Sequence, residues 1–239
     1  MEVDMWTRIV QNLLPAPRCH LCQAPATAVA ALCPACARDL PWLGAACTHC
    51  GLPLASAEEG TLCGTCLADP PPFDQALMPF RYAPPIDRLI GALKFRHDLA
   101  AGTLLGQLLA NAVAGRTVDC LFPVPLHPAR LRERGFNQAA ELCRVVAGAH
   151  DTPWDSHSLQ RIRTAPTQHT SSRRERLRNL RGAFAWQGST PPARVALIDD
   201  VMTTGATARA AAVALKRAGA EWVEIWAVAR TPPPHSRNV

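Results

Sequence analysis

Residues 195–207 read VALIDDVMTTGAT and gather side chains suited to holding a sugar phosphate. Val195, Ala196, Leu197 and Ile198 form an apolar run expected to be a strand buried on both faces, with Asp199 and Asp200 following where it ends. Thr203-Thr204-Gly205-Ala206-Thr207 then opens an alanine-rich helical stretch that closes near Gly219. A loop of small residues at a helix start offers free backbone N–H groups and the positive end of the helix dipole to a phosphate. The threonine hydroxyls add donors, and Gly205 lets the backbone approach closely. Two carboxylates beside that loop suit sugar hydroxyls and, directly or through water, Mg²⁺. A Walker B strand also ends in acids, but it requires an upstream G-x-x-x-x-G-K-[ST] loop, and the chain contains no Gly-Lys pair.

The stretch resembles the motif by which type I phosphoribosyltransferases bind 5-phosphoribosyl 1-pyrophosphate (PRPP): apolar positions, two acids, a short spacer, then Thr-Gly-x-Thr. All of its diagnostic positions are filled here.

A second chemistry is written in cysteine. Of ten cysteines, eight fall in four Cys-x-x-Cys pairs: Cys19/Cys22, Cys33/Cys36, Cys47/Cys50 and Cys63/Cys66. Each pair can bind a tetrahedral Zn²⁺ from a tight knuckle, and two knuckles complete a structural site, so two zinc ions are expected. Sequential pairing and interleaved pairing both remain open. Disulfides would need an oxidising compartment, for which no targeting signal is read, and a thioredoxin-like redox motif would not repeat four times. His20 and His49 sit inside knuckles and are expected to be exposed bystanders. The module is too small to fold without metal, so chelation is expected to unfold residues 19–66 and leave the rest largely folded. Its role could be structural, a lid over the next domain, or a grip on nucleic acid, though few basic residues and one aromatic, Trp42, favour the last weakly.

The elements that must position these groups follow from the rest of the 239 residues. Nearly half are apolar, enough for a substantial core. A net charge of +6, mostly arginine, favours polyanionic partners without choosing among PRPP, nucleic acid and plain solubility. Residues 1–17 read as a short amphipathic helix rather than a secretory signal, and nothing approaches a membrane span; a cytoplasmic protein is expected. Asp69-Pro70-Pro71-Pro72-Phe73 breaks regular structure, giving a ribbon domain at 1–70 and an α/β domain at 71–239. A strand is expected over 73–82, helices over 86–97 and 99–114, a buried strand over 118–124 and a closing strand over 221–229. Lys94 and Arg96 close the first of these helices, aimed either at phosphate or simply at the helix dipole. After Val124, Pro125-Leu126-His127-Pro128 forces an extended loop, and Arg130, Arg132 and Arg134 follow. Loops at the carboxyl edge of a parallel sheet are where open α/β folds bind ligands, and arginine forks suit pyrophosphate. Residues 160–181 carry a run of arginines and a polar, mobile loop that could close over a polyphosphate, or be merely a solvated basic face. Cys120 and Cys143 read as buried thiols.

Taken together, the four knuckles, PVPLHPARLRERGFNQ at 123–138, R-x-R-T-x-x-Q at 161–168 and the 195–207 motif resemble the ComF/GntX family. That resemblance implies a type I phosphoribosyltransferase fold, a parallel sheet flanked by helices, behind a double zinc ribbon. It implies an association with natural competence and the use of DNA, and an unassigned acceptor. By similarity, Thr203, Thr204, Gly205, Ala206 and Thr207 hold the 5-phosphate and Asp199 and Asp200 the ribose hydroxyls. Pro125, Leu126, His127 and Arg130, with Arg163 and Arg173 of the arginine run, face the pyrophosphate, with Mg²⁺ between ribose and pyrophosphate oxygens. Purine-salvage members of the superfamily place an acid where Thr203 stands; a hydroxyl is a poor base, so purine salvage is disfavoured. Two readings follow: a phosphoribosyltransferase with an unknown nitrogenous acceptor, or a non-catalytic PRPP-binding adaptor engaging single-stranded DNA or competence proteins.

Overall fold

The computed structural model describes residues 18–26, 31–56, 58, 60–163, 180 and 182–232. The expected N-terminal helix, the loop at 164–172, Arg173 and Arg174 lie outside them. The chain divides into two compact units, Met1–Leu40 and Pro41–Val239. The second cysteine quartet therefore belongs to the same compact unit as the sheet.

The first unit holds helix α1 (Pro34–Arg38) after its cysteine knuckle. The second begins with α2 (Gly64–Ala68), then β1 (Gln75–Leu77) and β2 (Phe80–Arg81). Helices α3 (Ile86–Arg96) and α4 (Leu99–Ala112) lead to β3 (Cys120–Pro123), and α5 (Pro128–Arg134) and α6 (Gln138–His150) follow. Strands β4 (Leu159–Arg161) and β5 (Phe184–Trp186) form a small antiparallel pair. The chain then makes β6 (Arg194–Met202), α7 (Ala206–Ala218) and β7 (Trp222–Arg230).

The main sheet is parallel, in the order β1–β7–β6–β3, with β2 also pairing β7. The expected strand at 73–82 is thus split in two at Pro79, which has no N–H to give a ladder. The expected closing strand, β7, lies in the middle of the sheet, between β1/β2 and β6. The strand period of two sends Val195 and Leu197 into a core with Phe122, Ile225 and the α7 residues Ala211 and Leu215. Ala196 and Ile198 are equally buried on the opposite face, where α6 packs against β6 and β3. Strand β6 also runs further than the apolar run implied: Val201 and Met202 pair with Ala229 and Arg230, so both aspartates lie inside the strand.

The segment after β3 is not extended throughout. His127 caps α5, its Nδ1 accepting from the Ala129 N–H at 3.2 Å, and Pro128 occupies the first helical turn, where a missing N–H costs nothing. No helix among the described residues is long and apolar enough to cross a membrane.

Helices α4 and α6 cross at Gly106, where an added Cβ would lie 2.6 Å from Val145 Cβ. A Cβ cannot rotate away, so Gly106→Ala is expected to cost about 1–3 kcal/mol despite alanine's better helix propensity. Denaturant unfolding of the two proteins under identical metal conditions would show it as a lower midpoint at unchanged slope.

Candidate functional site

Two constellations carry chemistry. In the first unit, Cys19, Cys22, Cys33 and Cys36 bring four sulfurs within 4.8 Å of one another; in the second, Cys47, Cys50, Cys63 and Cys66 do the same. Pairing is therefore sequential. Cys22–Cys33 and Cys50–Cys63 sulfurs are 3.6 Å apart, against about 3.8 Å for two thiolates on one tetrahedral Zn²⁺. The two clusters fit two structural zinc ions. The first knuckle of each set turns through a left-handed residue, Gln23 or Gly51, whose N–H returns to the first cysteine's carbonyl at 2.9 Å or 2.7 Å. Burial pushes the Cys50 thiol up to about 11 and raises Cys66 too. Burial also opposes ionisation of Cys63, but the Cys66 amide and the neighbouring thiols hold it below its ordinary value. Four crowded sulfurs resist shedding all their protons together, and a dication removes that resistance. His20 and His49 stay outside both clusters, as expected, but they are half-buried rather than exposed.

The second cluster is not an independent lobe. Leu43, Ala46 and Cys50 pack into the same core as Phe73, Met78 and Leu197. Leu43 donates to the Pro79 carbonyl, Ala76 donates to the Thr48 carbonyl, and Arg209 reaches Asp69.

The other constellation lies at the carboxyl edge of the sheet. β3 and β6 are neighbours, and their connections leave in opposite directions, β3 toward residues 153–155 and β6 toward β7. Such a divergence opens a crevice in α/β sheets. Gly205 adopts φ +74° at the turn into α7, and a Cβ there would sit 2.7 Å from Met202 Cε. Among the described residues no side chain caps α7 except for a long 3.4 Å contact from the Ala206 N–H to Thr204 Oγ1, so the first-turn amides face outward unclaimed by the helix. Asp199, Thr203, Gly205, Ala206 and Thr207 line a cavity of about 30 Å³, room for a compact oxyanion group or water.

The two aspartates have different fates because strand alternation turns them apart. Asp200, 3% exposed, pairs with Lys94 of α3. Asp199 faces the cavity and accepts from the Asp200 N–H at 2.9 Å. Burial, reinforced by the Asp200 carboxylate and only partly opposed by Lys94, pushes the Asp199 carboxyl well above the usual carboxylate range.

Of the other expected residues, Pro125, Leu126 and His127 are half-buried in the loop after β3, which Asn137 ties down by donating to the Val124 carbonyl at 3.1 Å. With His127 Nδ1 accepting, a neutral ring carries its proton on Nε2, leaving that N–H as a donor. Arg130 and Arg163 are exposed. The sequence reading missed Arg161 on β4. Its guanidinium lies over Phe184, 5.7 Å from the ring centre. Burial and the charge of Arg130 lower its pKa, while Asp199 raises it, which puts all three within electrostatic reach. The R-x-R pattern contained the signal, but only the β4–β5 pairing tells its two arginines apart. Lys94 reads in the sequence as a helix-end charge, and its partner Asp200 is remote in sequence.

A family profile described as a double zinc ribbon domain matches residues 9–67. The DNA utilization protein YhgH of Salmonella typhimurium is 36% identical over 221 residues, covering 89% of this chain and 96% of that protein. Competence protein F of Haemophilus influenzae is 34% identical over 194 residues, covering 77% of this chain and 84% of its own length. The chain belongs to the ComF family. Competence protein ComFC of Streptococcus pneumoniae is a more distant relative, 27% identical over 151 residues, 63% of this ComF-family chain and 66% of that protein.

Two outcomes follow. Stripping both zinc ions with a chelator is expected to lower the thermal midpoint of the α/β unit as well as that of the ribbons, because the second cluster shares its core; an unchanged far-UV melt would remove the zinc assignment. Asp199→Asn keeps the acceptor and removes a carboxyl whose folded pKa is raised. A raised folded pKa means stability is lost as pH climbs from the ordinary carboxylate range through the folded value. The variant should therefore gain stability over the wild type at pH 8 and show little difference at pH 4, read by denaturant titration at each pH.

Proposed function

We propose that this ComF-family protein is a Mg²⁺-dependent phosphoribosyltransferase, acting in the cytoplasm on PRPP and a nitrogenous acceptor, in the uptake or utilisation of DNA. The reading is carried by the cavity at the β6–α7 turn, where Asp199 meets Thr203, Gly205 and Thr207. In this reading the amides and hydroxyls of Thr203–Thr207 take the 5-phosphate, and Asp199 takes the ribose hydroxyls. Arg161, Arg130 and the His127 Nε2–H receive the pyrophosphate, with Arg163 as a further donor; Arg173 lies outside the described residues. The bond from the anomeric carbon to the pyrophosphate oxygen breaks, the acceptor nitrogen forms the new bond, and the acceptor's proton passes to the departing pyrophosphate or to solvent. Positive charge developing on the sugar suits the nearby Asp199 carboxylate, and negative charge on the leaving group suits the arginines. An Asp199 oxygen beside substrate oxygens is a hard donor set that fits Mg²⁺, which when bound neutralises charge on the leaving pyrophosphate. The names of the relatives, DNA utilization protein and competence protein, support the physiological setting.

A second reading, a non-catalytic PRPP-binding adaptor for single-stranded DNA or competence proteins, draws on two observations. Asp200 is already neutralised by Lys94, leaving one carboxylate for the ligand. Phe95 is 75% exposed with the Arg134 guanidinium 5.7 Å from its ring centre, an aromatic–cation pair of the kind that stacks bases.

Calorimetric titration with PRPP, with and without Mg²⁺, followed by pyrophosphate release across a panel of bases and amines, separates the two. Magnesium-dependent binding with release for one acceptor supports the enzyme. Binding without release, together with a salt-sensitive shift of labelled single-stranded DNA, supports the adaptor. Absence of binding overturns both. Arg161→Gln is expected to weaken PRPP binding about tenfold or more, the worth of a charged hydrogen bond.

A further inference from the structure

We propose that Arg230 is a positioning residue that couples the second cysteine cluster to the phosphate loop, so that zinc in that cluster and phosphate on the loop strengthen each other's binding. The inference rests on the reading of residues 203–207 as a phosphate site.

Arg230 ends β7 and is only 6% exposed, so its charge must be satisfied within the fold. Its Nε donates to the Cys50 carbonyl at 3.0 Å. Its Nη1 donates to the carbonyls of Met202 at 3.0 Å and Thr231 at 2.7 Å, and also to that of Thr203. One guanidinium thus holds a zinc knuckle on one side and the first peptides of the phosphate loop on the other. The knuckle comes close because Gly51, following Cys50, has no side chain: a Cβ there would lie 1.9 Å from Met78 Cε and 3.9 Å from Arg230 Cδ.

The consequence for the loop is geometric. A trans peptide sets its N–H antiparallel to its C=O. Fixing the Met202 and Thr203 carbonyls on Arg230 therefore fixes the direction in which the Thr203 and Thr204 amides donate, away from the guanidinium. Those amides open the turn into α7, where an oxyanion would be received. The consequence for the knuckle is electrostatic as well. Four thiolates on one dication leave a net negative charge beside a buried cation. Losing the metal frees the Cys50–Gly51 turn, and Arg230 loses its anchorage there.

Because coupling between two binding events is reciprocal, it can be read from the metal rather than from turnover. Zinc partition between the full-length holoprotein and a chromogenic chelator is titrated to equilibrium with and without saturating PRPP. Two zinc affinities are expected, and PRPP should tighten one of them about fivefold or more, within the usual range of such couplings. A variant with the first cluster disabled, Cys19→Ser with Cys33→Ser, should retain the PRPP-protected site, which assigns it to the second cluster. Arg230→Lys keeps a positive charge but lacks the fork; it should still bind two zinc ions and lose the protection, with PRPP affinity reduced at least fivefold. Calorimetry on the same samples keeps the two claims apart. If PRPP binds the wild type and zinc partition is unchanged, the coupling is overturned while the phosphate site stands. If PRPP does not bind the wild type at all, the phosphate-site reading fails and takes the coupling with it.

Discussion

A strand buried on both faces cannot carry two neighbouring acids without giving each its own compensation, and the site is organised by how β6 meets that constraint. The two-residue period sends Asp199 and Asp200 to opposite sides of the sheet. On one side Lys94 reaches in from α3 to meet Asp200. An unpaired buried charge costs several kcal/mol, so that pairing holds the strand end in place rather than decorating it. On the other side Asp199 has no cation at equal range among the described residues and stays reluctant to ionise. The sheet thus tolerates at Asp199 a local electrostatic cost that a bound ligand with cationic character would relieve, the pattern expected where stability yields to function.

The part of the site that was legible in the sequence is the part that is local in the chain. Thr203–Thr207 needs only a glycine that can turn left-handed and a helix behind it, and both are written in consecutive residues. The buried run Val195–Ile198 was equally plain. What failed was the end of the strand. Two acids read as a break, although Val201 and Met202 continue the ladder, because the partner that makes Asp200 tolerable sits more than a hundred positions away. The short α5 was hidden by prolines that look like loop formers but, at the first turn of a helix, are compatible with it. Nothing local separates Arg161 from Arg163; the β4–β5 pairing sets Arg161 against Phe184, within electrostatic reach of Asp199, and leaves Arg163 exposed.

The cysteines illustrate the same divide. Their spacing named the metal and the number of sites, but the gap between Cys36 and Cys47 equals that between Cys22 and Cys33, so spacing could not choose the partners. The fold chooses them through backbone closure: each knuckle hands its chain to a short helix that begins at the third cysteine of its own set. The proline run at 70–72 shows a different limit of the sequence. It does interrupt regular structure, yet Arg209 and Asp69 bridge it and Leu43 lies in the sheet's own core. A break in the backbone pattern is not a break in the packing.

The position of β7 carries a consequence for how the chain is assembled. It is the last described strand, yet it stands in the middle of the sheet, with β1 and β2 on one side and β6 on the other. During synthesis β1 and β2 emerge long before the strand they need, and the loop that must close to pair Gln75 with Glu224 is most of the protein. Until then β6 has one unfilled edge and the early strands have none of their ladder. The cysteine clusters have no such wait, since each draws its ligands from a short stretch of chain. Local contacts within the cysteine clusters can therefore form before the sheet is complete, but the sheet cannot close until β7 is available to pair with β1, β2 and β6.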